Sequence, residues 1–241
     1  MKHRGMLIGP KNIQEGTMSK KALVAVFLLS LLVSVTVQVR HVSAGGPESV
    51  RRVEDFSSFE VGTFPEGWKS RGGDGSEVYR VRSDKEPYLE ANAKNSAVTI
   101  AKKFQYDLTE YPYLIWQWRV LELPQGGDER FKKTGDSAAA IYVIFEGRLR
   151  PKNIKYVWSA SLPRETITES PYNSKTKIVV MQNQSSTMDE WVSERVNVYA
   201  DYQRLFGGET ESVQAIGLMS DSDNTQSTAV AHYKAIMISK E

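Results

Sequence analysis

The sequence predicts an all-β protein: two antiparallel sheets packed as a jelly-roll-like sandwich, with one short helix. Three observations predict it. Short runs rich in β-branched and aromatic residues recur along the chain, and Pro, Asn, Ser and Gly fill the intervals. Two of these runs, Tyr113 to Val120 (YLIWQWRV) and Ala138 to Phe145 (AAAIYVIF), are apolar enough to form a centre. One segment alone, after Asn197, combines helical spacing with stop signals. In the first run Leu114, Trp116, Trp118 and Val120 fall on one face, while Tyr113, Ile115, Gln117 and Arg119 fall on the other, as a period of two demands. The first face is therefore the buried one. The two runs read as adjacent strands, and the three alanines opening the second leave room for two indole rings nearby.

The chain divides at residues 44 and 52. Residues 18–44 read as a secretory signal: Lys20 and Lys21 supply the positive start, Ala22 to Val37 the apolar core, and Val42-Ser43-Ala44 the cleavage pattern. The apolar core is shorter than the roughly 20 residues that cross a bilayer comfortably. Cleavage near Ala44, giving a periplasmic or secreted product with no stable membrane span, is thus expected. Met18 directly precedes the pattern, so translation starts either there or at Met1 with an unusually long leader. Residues 45–52 read as a flexible entry, and 53–241 as a single sandwich domain.

Within that domain, Phe56, Phe59 and Phe64 lead into the turn Phe64-Pro65-Glu66-Gly67-Trp68, with Trp68 capping the edge of the core. Arg71 to Ser76 is a glycine-rich loop, and Val78 to Val81 and Tyr88 to Glu90 are short strands. Ala97 to Phe104 can turn Val98, Ile100 and Phe104 inward, with Lys102 breaking the pattern. After the central runs, Ile154 to Ala160, Lys177 to Gln182, Trp191 to Val198, Ala215 to Met219 and Ala229 to Ser239 are strands. Asn197 caps the one helix, Tyr199, Tyr202 and Phe206 share its spacing, and Gly207-Gly208 stops it. About ten strands in one core argue for the sandwich.

Composition removes several functions. There is no cysteine, which excludes disulfides, thiolate chemistry and lipid attachment through an amino-terminal Cys. The first 44 residues hold 6 of the 31 basic residues and 1 of the 29 acidic ones, leaving 25 and 28, a net charge of −3. No basic stripe remains for a nucleic acid. His232 is the one histidine outside the leader region, no G-x-S-x-G is present, and Ser174-x-x-Lys177 lacks its companion motifs, so nucleophilic hydrolysis has little support. A zinc site built from several His or Cys is excluded. No glycine loop is placed to cradle phosphate.

Three sets of residues carry possible chemistry. Asp221, Asp223 and Asn224 lie in a loop between two strands and offer oxygen ligands for calcium. This is no EF-hand, since Gln226 and His232 stand where Gly and Glu belong, and a turn capped by its own Asp and Asn side chains is the plainer account. Asp128, Glu129 and Asp136 are candidate catalytic acids, because glycoside hydrolysis needs two carboxylates across a sugar; solvated loop charge is the alternative. Tyr142, Tyr156 and Trp158, with Trp116, Trp118 and Trp191 on or beside neighbouring strands, are candidates for stacking on sugar rings, against a purely structural use in the core. Tyr156 and Trp158 share a face and form the most testable pair.

Phe64-Pro65-Glu66-Gly67-Trp68, Trp116-x-Trp118, Asp136 before the Ala138 run, Asp201-Tyr202 with Leu205-Phe206-Gly207, and Ile216 to Met219 followed by Ser220 to Thr225 resemble, in order and spacing, an exported bacterial family labelled domain of unknown function 3047. The resemblance spans roughly Val53 to Ser239. It implies a β-sandwich similar to galactose-binding-like and lectin-like jelly rolls, and no known activity. It also implies an acidic residue directly before Asp136 and a basic one ahead of the apolar run, where this chain has Gly135 and Ala140. The function expected is non-catalytic binding of a glycan or cell-envelope partner, with calcium as the one possible cofactor. A polysaccharide-acting hydrolase or lyase using the loop carboxylates, and an envelope scaffold or assembly factor, are the alternatives.

Overall fold

The computed structural model describes residues 48–147 and 151–241, so the leader read at 18–44 lies outside the described residues. In chain order the elements are β1 (Val50–Glu54), β2 (Trp68–Arg71), α1 (Gly75–Val78), β3 (Tyr79–Ser83), β4 (Pro87–Lys94), β5 (Ala97–Tyr106), β6 (Tyr113–Glu122), β7 (Ala139–Phe145), β8 (Asn153–Trp158), β9 (Ile167–Ser170), β10 (Asn173–Gln182), β11 (Val192–Asn197), α2 (Val198–Phe206), β12 (Val213–Asp221) and β13 (Thr228–Ser239). The strands form two sheets. The first has the order β11-β6-β13-β4-β3 with β1 also on β13, and the second has the order β2-β5-β12-β7-β8-β10-β9. This is the two-sheet sandwich expected. Among the described residues one pairing departs from the antiparallel rule, β8 with β10. The reason is that β9 and β10 form a hairpin whose second strand, not its first, docks beside β8.

The two central runs are not adjacent strands. β6 lies in the first sheet and β7 in the second, so they lie on opposite sides of the core instead of sharing hydrogen bonds. Alternation reports which side chains share a face; it does not report which sheet the strand joins. The buried face of β6 is nonetheless the one its pattern implies, and Trp116 and Trp118 are fully buried. Their rings meet edge to face at 5.2 Å, and each reaches across the interface, Trp116 to Tyr156 at 5.7 Å and Trp118 to Trp158 at 5.9 Å. Ala138 and Ala139 join this core, with Ala139 in register with Trp158, while Ala140 belongs to a smaller apolar cluster on the other face of the second sheet.

Two tyrosines from the first sheet reach the backbone of the second. The Tyr79 hydroxyl donates to Val98 O at 2.6 Å, and that of Tyr233 donates to Met219 O at 2.8 Å and accepts from Ala140 N at 3.2 Å. In a core of low polarity such bonds fix how one sheet sits on the other.

Part of the stretch read as a flexible entry is a strand. Val50 to Arg52 already belong to β1, paired with the end of β13. That strand delivers Glu54 into the interior, where its Oε2 accepts from Trp68 Nε1 at 3.1 Å and from Lys102 Nζ at 2.8 Å. Trp68, on the edge strand β2, is buried over Phe56, and Lys102, which interrupts the apolar face of β5, is the partner of a buried carboxylate. The helix α2 forms where expected: Asn197 Oδ1 accepts from Ala200 N at 2.9 Å, and Gly207 ends it at φ +66°, a conformation a side chain would strain. Tyr202 and Phe206 pack on Phe145, whereas Tyr199 stays exposed.

Candidate functional site

The outer face of the second sheet carries a cleft of about 640 Å³. Its floor follows from strand register. Lys69, Ala101, Gly217, Tyr142, Lys155 and Ile178 stand in one row across β2, β5, β12, β7, β8 and β10. The next row, Thr99, Met219, Ala140, Val157 and Val180, is apolar and low in its middle. Beside these rows three segments meet: the β6–β7 connection with Glu129 and Asp136, the β9–β10 turn with Tyr172, and the end of β12 with Asp221 and the turn after it with Asp223 and Asn224.

Tyr172 ties the three segments. Its ring is 59% exposed, and its hydroxyl bonds both Lys132 O, at 2.7 Å, and Asn224 Oδ1. Gly135 allows this, since a Cβ there would come within 3.1 Å of Phe131 O and 3.2 Å of the Tyr172 ring. Asp136 lies fully buried behind the turn: its Oδ1 accepts from Asn224 N at 3.2 Å, and its Oδ2 from Thr225 N at 2.7 Å and Thr225 Oγ1 at 2.6 Å. The β12–β13 turn is therefore clamped by a carboxylate from another loop, not by Asp221 or Asp223 bonding their own backbone.

The electrostatics of this end are unusual. Glu129 Oε2 accepts from Ser159 Oγ at 2.7 Å, but its Oε1 has no partner among the described residues, and burial pushes its pKa up. Asp221 Oδ1 also lacks a partner; burial, helped by the negative Asp136 and Asp223, pushes this carboxyl up to about 8 against the opposing pull of Lys155. Lys155 is buried too, 3.3 Å from Ser137 Oγ and 5.5 Å from the Tyr142 ring centre. Burial works against its charge, yet Tyr142, Asp221 and Glu129 together raise its pKa.

Of the residues singled out from sequence, Glu129, Tyr142, Asp221, Asp223 and Asn224 line this one cleft, with Asp136 behind it. Asp128 does not. Its carboxylate holds Arg130 at 2.7 Å, a bond that lowers its pKa. Tyr156 and Trp158 require correction, because both are fully buried between the sheets and cannot stack on a ligand. Tyr156 OH donates to Asp201 Oδ2 at 2.7 Å, and Trp158 Nε1 to Asn183 O at 3.1 Å. They share a face as read, but it is the inner one. Lys155 and Tyr172 were missed. The signal for Lys155 was available, since a charged residue inside the apolar run IKYVW needs partners; Tyr172 in a polar turn offered none.

His232 forms no triad. Its Nδ1 accepts from Arg119 Nε at 2.8 Å and its ring packs at 4.6 Å on Tyr88, under charges from Arg119, Glu90, Asp84 and Asp189. Burial first, then Arg119, drives its pKa from 6.5 to about 4. The unfolded chain therefore takes up this proton first as pH falls. The resulting stabilisation is complete above pH 6.5 and is lost between 6.5 and 4, by up to about 3 kcal/mol. His232→Gln is expected to remove that slope. The check is the wild-type minus variant difference in unfolding free energy at pH 7.5 and pH 4.5, in which the opposite trends of Glu129 and Glu194 cancel.

No curated protein matches the sequence. Among solved structures, the family 11 carbohydrate-binding module of a cellulosomal cellulase of Clostridium thermocellum is similar at 10% identity, covering 80% of this chain and 95% of that one, with a TM-score of 0.42. The family 11 xylanase from Neocallimastix patriciarum is 8% identical over 81% of this chain and 97% of that one, TM-score 0.41. The family GH12 endoglucanase 3 of Trichoderma harzianum is 10% identical over 80% and 97%, TM-score 0.39. These likenesses are too distant to bear on chemistry. A family model matches far more directly, over residues 66–237, and the chain belongs to that family, the proteins of unknown function designated DUF3047.

Proposed function

We propose that the protein is exported and binds a glycan along the outer face of its second sheet. The observation that carries this reading is the convergence, in one cleft, of two carboxyl oxygens without partners among the described residues, Glu129 Oε1 and Asp221 Oδ1, with the buried Lys155 and the partly exposed ring of Tyr142. Buried acceptors without donors call for a ligand rich in hydroxyls, and a half-exposed ring beside them suits the apolar face of a sugar. The net charge of −3 beyond residue 44 speaks against nucleic acid. Export rests on the leader pattern at 18–44; among the described residues no helix is long and apolar enough to cross a membrane. Calorimetry against a panel of neutral and acidic polysaccharides tests the binding. Tyr142→Ala is expected to weaken affinity roughly tenfold, the loss of one stacking ring. No binding across the panel, or a Tyr142→Ala chain that binds as tightly as wild type, rules the reading out.

Glycan cleavage is a second reading, favoured by Glu129: a carboxyl pushed up by burial and facing the cleft has the property of a proton donor. Glu129→Gln then abolishes any turnover while leaving the melting temperature within error. Turnover that survives this substitution excludes Glu129 as the acid.

A further inference from the structure

We propose that Asp136, Asp221 and Asp223 hold a divalent cation with a preference for oxygen ligands, of the calcium, magnesium or manganese kind, at the acidic end of the cleft. One oxygen from each carboxylate lies within 4.8 Å of the other two. A single ion can touch all three at that spacing, given metal–oxygen distances of about 2.1–2.6 Å. The second observation does not depend on the clustering. Asp221 is 6% exposed and lines the cleft, yet its Oδ1 has no hydrogen-bond partner among the described residues. A bare carboxylate oxygen at that depth is costly, and a cation supplies both the missing partner and the missing charge.

The three side chains suit different parts of the task. Asp136 is held in place by Asn224 N, Thr225 N and Thr225 Oγ1, and Oδ1, which takes only the 3.2 Å bond from Asn224 N, keeps room for an ion. Asp223 is exposed and closes the outer side. Asn224, the third ligand suggested by the sequence, is not available: its amide oxygen takes the Tyr172 hydroxyl, and its nitrogen donates to Asp223 Oδ1 at 3.0 Å. Three carboxylates without His or Cys select hard cations and leave coordination positions for water or for hydroxyls of a molecule in the cleft.

This assignment goes beyond the glycan reading and is tested without any glycan. The full chain is stripped with EDTA and titrated with CaCl2, MgCl2 and MnCl2, each alone, by calorimetry and by thermal melting. One equivalent of at least one ion is expected to bind and to raise the melting temperature. Asp223→Asn, whose side chain bonds only its neighbour, is expected to keep the melting temperature of the stripped protein and to weaken binding by roughly tenfold or more. No saturable binding of any of the three ions below about 10 mM overturns the assignment. So does an Asp223→Asn chain that binds as tightly as wild type. Either result leaves the polysaccharide panel to decide the glycan reading by itself.

Discussion

Trp118→Ala lowers the free energy of unfolding by about 4 kcal/mol, the usual range for truncating a large buried aromatic. Trp118 is fully enclosed, and its ring touches Trp116 in its own sheet and Trp158 in the opposite one. Removing it therefore opens a void at the contact between sheets, where the flanking strands are held by their own hydrogen bonds and cannot collapse inward. A second loss adds to the first. Trp118 Nε1 donates to Glu194 Oε1 at 3.2 Å, and that oxygen keeps only Gln182 Nε2, at 2.7 Å, once the indole is gone. Glu194 is buried, and burial already raises its pKa. Against a typical total of about 5–15 kcal/mol, this loss leaves about 1–11 kcal/mol. Trp118→Phe keeps most of the packing and is expected to lose about half as much. Urea denaturation at pH 7 measures both. A midpoint for Trp118→Ala close to that of wild type contradicts the account of the core given above.

Asp136→Ala is the second large effect, at about 3 kcal/mol, and it carries a functional consequence. The carboxylate accepts three bonds from the β12–β13 turn, two of them from backbone N–H groups of Asn224 and Thr225. Each buried donor left without a partner costs about 1–3 kcal/mol, reduced where the turn can move toward water. The turn is partly exposed at Asn224, so relaxation is expected, and with it the displacement of Asp221 and Asp223 from the cleft. Cation binding and glycan affinity then fall together, whereas Asp223→Asn weakens the first at little cost in stability. Asp136→Asn retains one acceptor oxygen and is expected to lie between wild type and Asp136→Ala. Unfolding free energies within about 1 kcal/mol for all three chains mean that the turn holds itself.

Much of the sandwich is readable from short-range patterns. The alternation in β6, the caps at Asn197 and Gly207 and the strand-forming runs are each set by neighbours within a few residues, and the fold reproduces them. The short edge strands β1, β2 and β9 are not readable, because four or five residues of mixed polarity take on strand structure only when an edge is there to receive them. The acidic residues of the cleft were visible one by one; that Asp136 and Asp221 come within reach of one another was not, since it follows from β12 pairing beside β7, which sets Asp221 against the loop residues just before β7.

From residue order alone come the period of two, the helix caps, the absence of cross-links and the set of side chains that share each face. Where those faces point is another matter. Tyr156 and Trp158 turn into the core and Lys155 toward the cleft because the first sheet covers one side of β8 and the cleft lies on the other. A strand carries its own alternation with it, but which of its two faces becomes interior depends on what packs against it, and that partner is brought from elsewhere in the chain.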